Sequence, residues 1–136
     1  ELLVDGESVR LGDHVAYKGI MVCDIPNLAM TFGYTNASWT LKADLTARYI
    51  CRLLNEMSRQ GAVAVVPQTP SGPLSDEPYI PLSAGYIQRV ADQLPRQGTE
   101  RPWRLYQNYF LDWWLFRGPR LKDGLRFVKE RELSSR

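Results

Sequence analysis

The strongest pattern of apolar residues in this chain predicts one long amphipathic helix between Ser38 and Gly61. Asn36 or Ser38 is expected to cap it, because short polar side chains accept hydrogen bonds from the free N–H groups of a first helical turn. Gly61 is expected to end it, since glycine readily adopts the left-handed conformation at a helix C-terminus. The apolar positions share one broad face of the helix: Leu41, Ala43, Leu45, Ala47, Tyr49, Ile50, Leu53, Leu54 and Met57.

Short apolar runs before this helix predict β-strands. Asp5-Gly6 separates residues 2–4 from residues 7–11. This pattern predicts a hairpin, because Asp-Gly supplies the positive φ values of a type I′ turn. Residues 15–23 predict another strand, interrupted at Gly19, and residues 28–32 predict a strand that is buried on both faces.

The chain after the helix predicts fewer regular elements. Residues 62–66 predict a strand, and residues 67–82, which contain five of the nine prolines, predict an extended connection with little regular structure. Ser83 is expected to cap a helix that reaches Leu94. Residues 125–129 predict a final edge strand, followed by a charged and frayed end.

Aromatic residues crowd the segment between these last two elements, where a helix is expected to start near Asn108 and to stop at Gly118 and Pro119. They are Trp103, Tyr106, Tyr109, Phe110, Trp113, Trp114 and Phe116. Their helical spacing favours packing in the core or against another domain. Arginines flank them, so a stacking surface for single-stranded nucleic acid is the weaker alternative.

Composition narrows the class of protein. A chain of 136 residues with 44% hydrophobic and 24% charged residues can bury the core of an ordinary globular domain. The net charge of +2 gives no reason to expect nucleic acid or an anionic membrane as a partner. No apolar run approaches the ~20 residues of a membrane-spanning helix. Cys23 and Cys51 lack metal-binding spacing and predict two buried thiols in the reducing cytoplasm. The predicted helices and strands together indicate an α+β protein.

Candidate catalytic groups are few. His14 is the only histidine and, beside Asp13 in a loop, is expected to be a solvated surface residue. No GxSxG motif is present, so hydrolase chemistry is disfavoured. The two acidic pairs, Asp5 with Glu7 and Asp76 with Glu77, fall in a turn and a proline-rich loop, where solvated side chains are expected. No catalytic residue and no metal ligand is therefore assigned.

The segment that leads into the long helix is the best candidate for a binding site. An apolar run passes through a turn at Gly33 and small polar residues into the helix N-terminus. Unpaired N–H groups and the positive end of the helix dipole could hold an anion or an electron-rich ring edge there. A capped helix without a ligand is the competing interpretation. The candidate residues are Gly33, Tyr34, Thr35, Asn36, Ala37 and Ser38.

The sequence of this segment, residues 32–42 (FGYTNASWTLK), resembles a segment of a known protein family. It is similar to the last flavin-contacting segment of the FAD- and NADPH-dependent monooxygenases of the Baeyer–Villiger type. The resemblance is closest to the bacterial subgroup that includes the ethionamide-activating monooxygenase. It continues, in order, over residues 15–19, 25–27, 83–86, 94–98, 102–105, 107–109 and 124–127.

This resemblance implies a fold, a cofactor and a reaction. Residues 1–61 would be the C-terminal piece of a discontinuous FAD-binding α/β domain, and residues 62–136 an aromatic-rich extension that packs on the other domains. Gly33 to Ala37 would lie beside the isoalloxazine ring, with the N–H groups of Asn36, Ala37 and Ser38 as hydrogen-bond donors. The parent enzyme would use FAD, NADPH and O2 to insert one oxygen into a ketone or a sulfur compound.

The chain also departs from the pattern of the family. The glycine motifs for FAD and NADPH are absent, and no arginine here can be assigned the family's catalytic role. Together with a first residue other than Met, this predicts an inactive C-terminal fragment whose partner is the remainder of its own polypeptide. Such a fragment could cover apolar surface by forming a homo-oligomer. The alternative is a non-enzymatic α+β interaction module that docks partners through its aromatic helix.

Overall fold

A computed structural model describes residues 2–80, 89 and 91–133, and within them the chain is α+β, as predicted. The strands of this part form four two-stranded antiparallel sheets beside one helix of 22 residues. The strands are β1 Leu2–Val4, β2 Glu7–Val9, β3 Ala16–Tyr17, β4 Met21–Val22, β5 Ala62–Pro67, β6 Leu74–Ser75, β7 Gln97–Gly98 and β8 Leu125–Lys129. The α-helices are α1 Trp39–Gln60, α2 Tyr109–Leu115 and the single turn α3 Glu130–Leu133, and 3-10 turns occupy Leu11–Asp13, Ala91–Gln93 and Gly118–Lys122.

The predicted N-terminal hairpin is confirmed. β1 pairs with β2, and the two turn residues Asp5 and Gly6 have φ values of 52° and 87°. These are the left-handed values that a type I′ turn needs at both central positions.

Residues 15–23 form a second hairpin instead of one interrupted strand. β3 and β4 pair in antiparallel fashion, and Lys18 and Gly19 turn the chain with φ values of 53° and 66°. The prediction of one strand was wrong because two consecutive left-handed residues reverse the chain direction. A Cβ atom at Gly19 would lie 2.2 Å from Cδ1 of Leu105, so a side chain here would also have to displace the end of the Leu105 side chain.

The buried strand predicted at residues 28–32 is absent from the described structure. Within it, only Ala29 makes an isolated bridge, to Met21. Ala29 and Thr31 are exposed, so the segment lies along the surface of the β3–β4 hairpin and is not buried on both faces.

Helix α1 has the predicted bounds. Ser38 is its N-cap residue, and Gly61 ends it with a φ of 64°. Leu45, Tyr49 and Leu53 are buried, as predicted. The apolar stripe is narrower than predicted, because residues at both of its edges are exposed. Leu41 is exposed at one edge, and Ala43, Ala47 and Leu54 are exposed at the opposite edge.

Strands β5 and β8 confirm two further predictions and bring the two halves of the chain together. They pair antiparallel, with Val65 opposite Phe127, and β5 also packs against α1. The frayed end predicted after residue 129 is wrong for residues 130–133, which form the helical turn α3. The connection over residues 68–80 is irregular apart from β6, which pairs with β7. The helix predicted from Ser83 lies almost entirely outside the described residues.

The core lies between the β3–β4 hairpin, helix α1 and helix α2. Its buried members are Val15, Tyr17, Ile20, Met21, Cys23, Leu45, Tyr49, Leu53, Val65, Leu115 and Phe116. Cys23 is buried here, and burial raises the pKa of its thiol to about 12. Cys51 is exposed, so the prediction of two buried thiols is wrong for it, because it lies on the uncovered side of α1.

Candidate functional site

The candidate segment Gly33–Ser38 divides into a buried and an exposed half. Gly33 and Tyr34 are buried, whereas residues 35–38 are exposed at the start of α1. The indole ring of Trp39 lies against Gly33, where a Cβ atom would come within 2.1 Å of the ring carbon Cγ. Glycine is therefore needed at this position because the ring occupies the space of a side chain.

Gln107 holds the middle of the segment. The N–H of Thr35 donates to Oε1 of Gln107 over 3.0 Å, and Nδ2 of Asn36 donates to the backbone carbonyl of Gln107 over 3.1 Å. The Asn36 side chain thus contacts Gln107, two residues before α2, and does not cap α1. Ser38 Oγ lies 2.7 Å from Oγ1 of Thr40 and makes no side-chain cap hydrogen bond either. Both sequence-based capping assignments fail at the level of the side chain.

Three consecutive N–H groups remain available at the exposed half. Within the described part of the chain, the backbone N–H groups of Asn36, Ala37 and Ser38 donate no hydrogen bond. They precede the first turn of a 22-residue helix, where the helix dipole places partial positive charge. This surface favours hydrogen-bond acceptors that carry, or gain, negative charge.

A buried cluster of Tyr34, Lys42 and Asp112 holds the segment against helix α2. Oδ2 of Asp112, on α2, accepts a hydrogen bond of 2.7 Å from the Tyr34 hydroxyl and another of 2.7 Å from Nζ of Lys42, on α1. The side chains of Lys42 and Asp112 are 2% and 5% exposed. Burial lowers the pKa of Lys42, and the nearby carboxylate of Asp112 opposes that shift. Burial and the hydrogen bond to Asp112 raise the pKa of the Tyr34 phenol.

A second buried lysine lies in the turn of the β3–β4 hairpin. Nζ of Lys18 donates to the backbone carbonyls of Leu115, over 3.2 Å, and of Arg120, and it lies 4.8 Å from the centre of the Tyr49 ring. Burial lowers the pKa of Lys18 to about 7. Carbonyl groups satisfy this ammonium, so its arrangement connects the hairpin to the end of α2.

The buried lysines were missed by the sequence-based reasoning. Lys42 stands three residues before Leu45 and seven before Tyr49, which places it on the buried stripe of α1. A charged residue at a stripe position was the available signal. No comparable pattern marked Lys18.

The aromatic helix α2 faces outward more than predicted. Leu115 is buried, as is Phe116 at the C-cap, but Phe110, Trp113 and Trp114 are 80%, 41% and 42% exposed. Packing of these three in the core of the described chain is therefore wrong, while packing against another domain stays a prediction. Two arginines stack on the exposed tryptophans: the guanidinium of Arg117 lies 4.0 Å from the ring centre of Trp113, and that of Arg120 lies 3.7 Å from Trp114.

The other candidate residues lie apart from this site. His14 is half-buried, with Nδ1 3.0 Å from the carbonyl oxygen of Cys23, so it is not the fully solvated residue that was predicted. Asp5 and Glu7 are exposed, as predicted for a turn, and Glu77 is exposed and pairs with Arg104 at 3.0 Å. In the described ranges no group of three or more His, Cys, Asp or Glu residues could hold a metal ion. No helix among the described residues is both long and apolar enough to cross a lipid bilayer.

Comparison with known proteins finds several flavoproteins. The chain is 48% identical over 127 residues to the FAD-containing monooxygenase EthA of Mycobacterium tuberculosis, which covers 93% of this chain and 26% of the relative. It is 45% identical over 128 residues to EthA of Mycolicibacterium smegmatis, covering 93% and 26%. It is 42% identical over 135 residues to AlmA of Acinetobacter baylyi, named a probable FAD-binding monooxygenase, covering 98% and 27%. No protein-family model and no solved structure matches the chain significantly.

These matches confirm the resemblance that the motifs indicated. The chain is homologous to the C-terminal part of the EthA-like FAD-containing monooxygenases. It spans about a quarter of the length of the curated relatives that it matches.

Proposed function

We propose that this chain is the C-terminal part of an FAD- and NADPH-dependent monooxygenase that inserts one oxygen atom of O2 into a ketone or a sulfur compound. The observation that carries the proposal is the 48% identity, over 93% of the chain, to a protein named FAD-containing monooxygenase. NADPH, the Baeyer–Villiger reaction and the choice of ketone or sulfur follow from the resemblance to that enzyme type. The activity belongs to the full-length parent protein.

The exposed half of the candidate segment fits the edge of a flavin ring. When bound, FAD would supply the redox chemistry of the reaction, namely acceptance of electrons from the nicotinamide and activation of O2. The N–H groups of Asn36, Ala37 and Ser38 would donate hydrogen bonds to the carbonyl-rich edge of the ring. The start of α1 would favour negative charge on that edge. Gly33 and Tyr34, which are buried, would shape the turn that presents these groups.

The surface of the chain supports a larger parent protein. Helix α1 exposes Leu41 and Leu54, on opposite edges of its apolar stripe, to 40% and 55%, and the aromatic face of α2 exposes Phe110 to 80%. Exposed apolar surface of this kind marks contact sites. We assign residues 1–61 to the FAD-binding domain and residues 62–136 to an extension that packs on the other domains. The remainder of the same polypeptide is then the partner of both surfaces.

The experiment compares the full-length parent protein with the 136-residue chain. The parent is expected to copurify with FAD and to oxidise NADPH with a ketone or thioether substrate, whereas the short chain is expected to bind no FAD and to be inactive. Ala37→Trp places a bulky ring at the proposed flavin edge and is expected to reduce the FAD content of the parent. Ala91→Trp, at an exposed position of a 3-10 turn, is the matched control.

Two results would contradict the proposal. A full-length parent without FAD at any stage of purification would reject the flavoenzyme assignment. A parent that keeps its full FAD content in both tryptophan variants would reject the flavin-edge site while leaving the enzyme class in place.

A non-enzymatic interaction module is the second candidate. The exposed Phe110, Trp113 and Trp114 favour it, because aromatic residues with stacked arginines are common in protein interfaces. The two candidate functions differ in what covers the aromatic face of α2: another part of the same polypeptide or a separate protein. In the monooxygenase this face is covered within the parent polypeptide, so limited oxidation of the tryptophans should be slow in the full-length protein and fast in the short chain. Equal rates in both would favour the interaction module.

A further inference from the structure

Two residues of the aromatic segment hold consecutive residues of the proposed flavin-edge segment. Gln107 binds Thr35 and Asn36, and Asp112 binds Tyr34 and Lys42. The bonded partners are separated by 70 to 78 residues along the chain. The position of the segment therefore depends on the C-terminal extension and not on the local sequence.

Gln107 adopts a conformation that suits this contact. Its φ is 51°, in the left-handed region that residues with a Cβ atom rarely occupy. In this conformation the side-chain Oε1 and the backbone carbonyl of one residue accept hydrogen bonds from two adjacent residues, Thr35 and Asn36. Backbone conformations of this kind persist only where the surroundings hold them, and they concentrate at functional sites.

Asp112 fixes Tyr34, the residue before Thr35, through a buried carboxylate. A single oxygen, Oδ2, receives both the Tyr34 hydroxyl, from the turn before α1, and the Lys42 ammonium, from its first turns. A buried ion pair adds little net stability over well-packed apolar side chains, because both charges lose their hydration. It does select one arrangement, since any shift of the turn relative to α2 would leave buried polar groups without partners.

We propose that Gln107 and Asp112 are positioning residues for the flavin-edge segment of the parent monooxygenase. This inference rests on the proposed function. Gln107 takes up the N–H of Thr35 and the side chain of Asn36. In the described chain, the N–H groups of Asn36, Ala37 and Ser38 then have no acceptor. Asp112 sets the position of the turn against the start of α1. Each residue would act through the backbone of the segment and not by its own contact with the flavin.

The first test uses the full-length parent protein with bound FAD and the variant Gln107→Gly. Glycine keeps the left-handed backbone and removes only the side-chain acceptor of Thr35. The expected result is FAD binding weakened about five- to tenfold, as the loss of one positioning hydrogen bond suggests. A shift of the visible flavin absorption bands is expected with it. Gln93→Gly, at an exposed glutamine in a 3-10 turn, is the matched control and should leave both readouts unchanged.

The second test separates positioning from stability. The double variant Lys42→Met/Asp112→Asn removes both charges, keeps an acceptor for the Tyr34 hydroxyl and places a thioether beside the Phe116 ring. The apoprotein is expected to melt close to the wild-type temperature. The flavin bands are expected to shift, and FAD binding is expected to weaken.

The outcomes are distinct. Wild-type FAD affinity and spectrum in both Gln107→Gly and the double variant would overturn the inference. So would weaker FAD binding with an unchanged flavin spectrum and a matching loss of apoprotein stability, because that pattern describes a purely structural role. A wild-type parent without FAD would overturn the proposed function itself, and the inference with it.

Discussion

Replacing Asp112 by asparagine tests whether the buried ion pair is as isolated from water as the structure shows. The substitution keeps the shape of the side chain and an acceptor for the Tyr34 hydroxyl. It leaves Nζ of Lys42 without a counter-charge in a site where the lysine side chain is 2% exposed. Removing one partner of such a pair typically lowers the free energy of unfolding by about 3–5 kcal/mol. Since the amide still accepts hydrogen bonds, we expect about 3 kcal/mol.

The assay is urea unfolding at pH 7, followed by tryptophan fluorescence. A loss of this size is a large part of the ~5–15 kcal/mol that stabilises a typical domain. Adding Lys42→Met to Asp112→Asn is expected to restore stability to within about 1 kcal/mol of wild type, because no charge then remains buried. Asp44→Asn is the matched control: Asp44 pairs with Arg48 at 2.8 Å on the surface, and breaking that pair is expected to change unfolding little.

The pH dependence of the single variant gives an independent check. Burial already lowers the pKa of Lys42, and the charge of Asp112 opposes this, so removing that charge lowers the pKa of Lys42 further. The unfolded state then binds more protons than the folded state, so the stability of Asp112→Asn should rise as the pH is raised towards the ordinary lysine pKa. A single variant within 1 kcal/mol of wild type, or a double variant no more stable than the single one, would refute the reasoning.

Three further predictions follow from other parts of the structure. Burial lowers the pKa of Lys18 to about 7, so above that pH the folded state binds fewer protons than the unfolded state. The free energy of unfolding should therefore rise by about 1 kcal/mol per pH unit from pH 7 to 9. Lys18→Met should abolish this rise in urea titrations. Gly19→Ala is expected to destabilise the chain by about 2 kcal/mol, because φ is 66° and the added Cβ would meet Leu105; an unchanged melting temperature would contradict the close contact. Cys51 should react with a thiol reagent under native conditions well before Cys23, which is buried and has a raised pKa; mass spectrometry of the labelled peptides distinguishes them, and equal labelling rates would be inconsistent with the burial of Cys23.

Local chemistry explains the elements that were predicted correctly. Asp5-Gly6 encodes its hairpin because both residues accept positive φ, and Gly61 ends α1 for the same reason. Strand β8 was recognisable from its apolar run. Lys18-Gly19 gives a weaker turn signal than Asp5-Gly6, because lysine rarely adopts positive φ.

The family motif likewise followed from sequence, whereas the interior of the site did not. Residues 32–42 indicated the resemblance to the monooxygenases, which is confirmed, and marked Gly33–Ser38 as a candidate binding segment, which stays a prediction. Nothing in the order of residues indicated that Tyr34 would turn inward to Asp112. Tyrosine occurs both in cores and on surfaces, and the choice depends on which partner the fold brings near.

The amino-acid order alone therefore determined the Asp5-Gly6 turn, the bounds of α1 and the resemblance to the monooxygenases, because these depend on backbone preferences and spacing within a few residues. Tertiary structure decided which stripe residues of α1 are covered, which cysteine is buried and which aromatic side chains of α2 face solvent. It also decided the contacts of Gln107 and Asp112 with the candidate segment Gly33–Ser38. These contacts join groups about 70 residues apart in the chain. At Asp112 they lie in a site with little water, where a charge or hydroxyl is tolerated only beside its partner.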